Sequence, residues 1–238
     1  MANITERLGD FGKWSLIIAP ILVVVFNFLI PTNGFAPADP ASPGAYAAEL
    51  GANASLANIS FVLILVGLAL YLVAILHLVG NAANETSAGW LKLGAAFTIA
   101  SLPLWGISVA AGLAETSISE KLVTAQAAAA AGSAEAAASA VSLGSVLGAA
   151  HGIWMSVQQV AMYVGFFGLI PIGLGLAGDE KLKFYGWALA LVGLVAIILG
   201  TIMPVDTETG NLVFGIMALI WGIVVLGIGV RKVMDDLA

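Results

Sequence analysis

The chain has no cysteine in its 238 residues. That removes disulfides, thiolate metal sites, iron–sulfur clusters and cysteine nucleophiles. Charge is scarce too: 9% of residues are charged, against roughly 25% in a soluble domain, so no water-facing surface can be built all round. No Lys, Arg, Asp or Glu falls near the middle of any long apolar run, although ion-coupled pumps, proton relays and voltage sensors depend on such groups. No basic cluster suggests nucleic acid. A Gly-rich phosphate loop, a zinc-protease pattern and a serine nucleophile elbow are all missing, and the segments outside the apolar runs are too short for a catalytic domain. These absences lead us to expect a protein that is not an enzyme and carries no cofactor.

What the chain has instead is hydrocarbon: 61% of its residues are hydrophobic, in runs that approach or exceed the roughly 18 to 20 residues that cross a bilayer. We read an all-α integral membrane protein with six spans in one domain, at about residues 14–30, 56–79, 90–113, 151–177, 182–203 and 211–230. Ala36-Pro37-Ala38 resembles a signal-peptide cleavage site, but the first run is read as a retained span, with Pro20 expected to kink it. Residues 31–43 hold four prolines and cannot form a continuous helix. A short helix carrying Tyr46, Glu49 and Leu50 should follow, resting at the membrane interface. Pro103 is expected to break the third span. Residues 115–147 are rich in alanine, the best helix former, so they should form a helical excursion beyond the hydrocarbon, bent at Gly132-Ser133. Its low charge suggests that it packs on something.

Positive charge sorts by side. With the N-terminus inside, Arg7, Lys13, Lys92, Lys181, Lys183, Arg231 and Lys232 fall on the inner face and Lys121 alone on the outer. That split implies cytoplasmic termini in a bacterial inner membrane, with the excursion outside. It also places the two histidines apart, His77 near the inner boundary and His151 at the outer one. About 30 Å of hydrocarbon would then separate them, too far for the two axial ligands of one haem. Each remains a weak metal candidate by itself.

Helical periodicity puts His151, Met155, Gln158, Met162 and Gly165 on one stripe of the fourth span, with Gln159 slightly to the side. On the third span Thr98, Ser101, Trp105, Ser108 and Gly112 share an arc that Glu115 continues. Polar groups facing lipid are costly, so both stripes should face protein. Two readings stay open. The stripes line a polar pocket with a Glu115–His151 ion pair, or the glutamines bond across to another helix, the hydroxyls bond back to their own helix carbonyls, methionine fills space and Glu115 sits in water. On the fifth span Gly186, Ala190, Gly193 and Gly200 make a small-residue stripe suited to close helix approach.

Lys183-Phe184-Tyr185-Gly186-Trp187 opens the fifth span, a short turn follows the span, and Trp221-Gly222 stands in the sixth span before Arg231. With the spacing of the first two spans and their loop, this half of the chain resembles the DUF4386-like six-span bacterial membrane proteins of unknown function. The resemblance implies a fold and no reaction. The expected role is that of an accessory or structural subunit packing against other membrane proteins, or against copies of itself, in the lipid bilayer. The alternative is a small-solute channel or binding protein using the pocket on the third and fourth spans. A third possibility is a redox subunit holding haem, pigment or copper through His151 or His77.

Overall fold

A computed structural model describes residues 4–33 and 43–237, less the side chains of residues 4–8, 43, 236 and 237. The link at 34–42, with its Ala36-Pro37-Ala38 sequence and Asp39, lies outside the described residues, as does the Arg7 side chain. Among the described residues there are seven helices: α1 (Ile4–Leu29), α2 (Pro43–Ala52), α3 (Ala54–Gly80), α4 (Glu85–Ala130), α5 (Ala134–Leu176), α6 (Lys183–Ile202) and α7 (Glu208–Leu237). All but α2 are long and apolar enough to cross a membrane. Among the described residues there is no strand.

The six long helices form a closed ring. Each packs on its neighbour in sequence, and α7 returns to α1. Glycine sets many of these seams. Backbone approaches backbone where Gly173 of α5 meets Gly186 and Ala190 of α6, and Gly94 of α4 faces Gly168 and Ile172 of α5. Gly222 and Gly229 of α7 pack on Pro20, Val24 and Leu16 of α1, antiparallel to it. The start of α1 and the end of α7 therefore lie together at one end of the bundle. Ion pairs Lys232–Asp179 (3.6 Å) and Lys181–Asp235 (3.3 Å) tie the α5–α6 turn to α7 at that same end.

At the opposite end α4 and α5 run on past the ring as an antiparallel hairpin. They have 46 and 43 residues, or about 69 and 65 Å at 1.5 Å per residue, roughly twice the hydrocarbon thickness. The excursion expected at 115–147 is thus a direct extension of two spans. Its bend falls where the sequence places it. Gly132 takes φ +97°, and the Ser133 side chain caps α5 by accepting from the Ala136 amide at 3.2 Å. Between residues 121 and 150 only Leu122, Ala125 and Leu147 are buried, the first and last of them against Ala47 of α2.

One expectation about the helices needs correction. Pro103 does not break its span, because α4 continues through it; a proline removes one backbone bond, and the packed neighbours hold the rest in line. In α1, which contains Pro20, the backbone departs from helical φ/ψ at Gly9 (φ 29°). The short helix α2 buries Tyr46 and Leu50 against the base of the hairpin, while Glu49 is exposed.

Candidate functional site

Glu115 and His151 meet at the base of the hairpin. The carboxylate Oε1 lies 2.8 Å from His151 Nδ1, and Glu115 is 0% exposed. Glu115 is therefore not in water. It lies 36 residues from His151 in the chain, brought to it by the antiparallel packing of α4 on α5. Tyr46 of α2 stands edge-on to the imidazole, centroids 5.0 Å apart, and edge-on to Trp154 at 5.7 Å, which excludes solvent from the pair. The Tyr46 hydroxyl donates a long hydrogen bond (3.4 Å) to Asn33 Oδ1, and Asn33 in turn donates to Asn27 Oδ1 at 3.4 Å. Burial pushes the Tyr46 phenol well above its ordinary range, so it stays a neutral donor. Glu115 Oε2 and the Ser119 hydroxyl are buried without a hydrogen bond among the described residues.

Below this polar layer a cavity of about 110 Å3 runs along the ring axis. Its wall comes from five of the six spans, α6 being the exception. Phe61, Trp154, Asn33 and Ile30 lie towards the hairpin; Tyr71, Trp221 and Leu169 lie towards the termini. Phe61 and Tyr71 are ten residues apart on α3, so the lining extends over about 15 Å of axis. Aromatic rings face one another across the ring: Phe61–Trp154 at 5.4 Å, Tyr71–Trp221 at 5.0 Å and Phe166–Phe214 at 6.2 Å, all edge-to-face. Among the described residues no charged side chain lines the cavity.

The residues singled out in the sequence divide between these two places. His151 belongs to the polar layer with Glu115, and Met155 lies buried beside Trp154 in the same core cluster. Gln158, Met162, Ser101 and Ser108 line the cavity. Gln158 is 6% exposed, and its Oε1 has no hydrogen bond among the described residues. Gln159 turns away and donates along its own helix to the Tyr163 hydroxyl at 3.1 Å, so the expected glutamine bond to another helix is not formed there. The hydroxyls of Thr98 and Ser101 do bond back to their own helix, to Gly94 O at 3.0 Å and Thr98 O at 2.9 Å. His77 is buried against Gly12 near the termini, at the end of the bundle opposite His151, and no group of three or more His, Cys, Asp or Glu suited to a metal ion occurs among the described residues. The fifth-span stripe packs on α5, as Gly186 meets Gly173, Gly193 meets Phe166 and Gly200 meets Tyr163.

Sequence reasoning missed the contributions of α1, α3 and α7: Asn27, Asn33, Phe61, Tyr71, Phe214 and Trp221. Lone aromatics in apolar spans look like lipid-facing or core residues until the ring closes. Asn27 gave a weak signal, since an amide within a span needs a partner; Asn33 lies beyond the end of α1. Compared with known protein families, curated proteins and solved structures, the chain matches none.

Proposed function

We propose that this is a non-enzymatic membrane protein that binds a small molecule inside its helix ring. The observation that carries this is the axial cavity, built by five spans and walled mainly by aromatic and aliphatic side chains with a few convergent polar groups, the usual make-up of a small-molecule site. Its volume, about 110 Å3, is of the same order as the roughly 150 Å3 apolar cavity that takes benzene. The cavity moves a binding role ahead of the purely structural one suggested by composition. Membership of a larger assembly stays as a second reading, because the hairpin carries an exposed, nearly uncharged surface that includes Val141 and Val146. In this proposal both termini are cytoplasmic, in line with the seven-to-one sorting of Lys and Arg, and the hairpin and α2 face outward.

Benzene titration of the purified protein in nanodiscs, read by the fluorescence of Trp105, Trp154 and Trp221, tests the binding role. Saturable quenching is expected. It should vanish in Gly165→Leu, because Gly165 lines the cavity and a side chain added there meets open space. No saturable signal in the wild-type protein refutes the proposal.

A further inference from the structure

Resting on that binding role, we infer that the ligand is a neutral aromatic alcohol, whose ring fills the cavity and whose hydroxyl pairs with a polar rung formed by Gln158 and Ser108.

The register of the hairpin base places this rung. Glu115 of α4 touches His151 of α5, and the two helices are antiparallel. Moving seven residues, two turns, from each contact residue toward the termini leads to Ser108 on α4 and Gln158 on α5, at one level and both lining the cavity. Ser108 is 2% exposed and Gln158 6%. The next step of seven reaches Ser101 and Gly165, again both in the lining. The hydrogen bond of Ser101 is taken up by its own helix, so that level offers less to a ligand. At the Ser108–Gln158 level the amide oxygen is buried and has no hydrogen bond among the described residues. A buried polar atom left without a partner is costly, and such atoms in native proteins are paired in the great majority of cases.

Three features define what satisfies it. The group must be uncharged, because no charged side chain lines the cavity among the described residues and the nearby Glu115 and His151 already engage each other. A hydroxyl suits an amide and a serine together, since it donates one hydrogen bond and accepts others. A ring suits the remainder of the space, which lies between edge-to-face aromatic pairs that favour another ring at similar spacing. A water at the rung would find two polar partners there but would leave the apolar remainder of the space unfilled.

Phenol, benzene and benzoate serve as probes, titrated into the nanodisc-embedded wild-type protein and into Gln158→Leu. Comparison between the two proteins cancels the partition of each probe into lipid. The wild type is expected to favour phenol over benzene by about tenfold more than Gln158→Leu does, and to ignore benzoate. Benzene binding retained by Gln158→Leu shows that the variant is folded with its cavity intact. An equal phenol-to-benzene ratio in both proteins overturns the hydroxyl pairing while leaving cavity binding in place. Benzoate binding as tightly as phenol overturns the requirement for a neutral ligand. Failure of every probe to bind the wild type removes the binding role itself, and this inference with it.

Discussion

Replacing His151 by leucine should be among the most damaging single changes outside the glycine seams. The substitution leaves the Glu115 carboxylate, 0% exposed, without the imidazole that lies 2.8 Å away. Its second oxygen already lacks a hydrogen bond among the described residues, so none of them stands ready as a spare partner. Removing one member of a buried pair costs about 3–5 kcal/mol, whereas replacing both members by apolar residues is often neutral. His151→Leu should therefore destabilise by about 3–5 kcal/mol. Near 2–4 °C per kcal/mol for a chain of this length, the melting temperature falls by about 6–20 °C. Glu115→Leu combined with His151→Leu should recover most of that loss, giving a double-mutant cycle with a large coupling energy. The assay is thermal unfolding of the purified protein in one detergent, followed by circular dichroism. Two results refute the reasoning. A single-variant loss below about 1 kcal/mol marks a solvated pair, and a double variant no better than the sum of the singles means that the residues do not act on each other.

Two further outcomes follow from the packing and from the proposed orientation. A methyl group at Gly186 would lie 2.5 Å from Ala177 N and 2.6 Å from Gly173 O, so Gly186→Ala should cost about 1–3 kcal/mol through overpacking. Gly200→Ala, whose nearest neighbour is Tyr163 at 3.4 Å, should stay within about 0.5 kcal/mol of the parent; thermal unfolding of the two variants checks the contrast. Because the chain lacks cysteine, Ser133→Cys and Glu180→Cys each introduce a single thiol at an exposed position. In intact cells a membrane-impermeant maleimide should label the first, and only after permeabilisation the second; the reverse order inverts the proposed orientation.

Much of the architecture was legible because the bilayer leaves few choices. Apolar length separates spans from links, and the six runs read in the sequence correspond to the six candidate spans. The hairpin tip was legible for a local reason: Gly132 supplies the left-handed backbone and Ser133 the cap. Helix continuity was less so. Proline was taken to break α4, yet Pro103 lies within a helix held on both sides by packed neighbours. The Glu115–His151 contact could be named from periodicity, since each residue ends a polar stripe. Whether water or Tyr46 covers it depends on where α2 folds back, a long-range matter that the composition of α2 leaves open. The cavity was half legible, because the stripes on α4 and α5 announce themselves by hydroxyl and amide groups. The facing walls from α1, α3 and α7 are mostly apolar, and Asn27 in α1 and Asn33 just after it carry little pattern.

Why a ring of six helices should stay hollow follows from where the sequence spends its small and large residues. Without a hydrophobic drive between helices in lipid, association relies on close packing, and small residues permit it. Here they sit between sequence neighbours, at Gly173 against Gly186, Gly94 against Gly168 and Gly67 against Ala19, so each seam draws tight around the circumference. The axis receives the opposite treatment. Phe61, Trp154, Tyr71, Trp221, Phe166 and Phe214 project inward and meet edge-to-face at 5.0–6.2 Å, a spacing that rings favour and that holds the alternate helices α3, α5 and α7 apart. Collapse of the ring would force these rings past one another, while the glycine seams resist any lateral slip that could make room. Tight seams with bulky contacts between alternate helices thus leave a residual space in the middle, and Gln158 Oε1, without a hydrogen bond among the described residues, is buried in its wall. A chain selected only to pack could fill that level with leucine at little cost; retaining an amide and a serine there is the feature that a bound polar group accounts for.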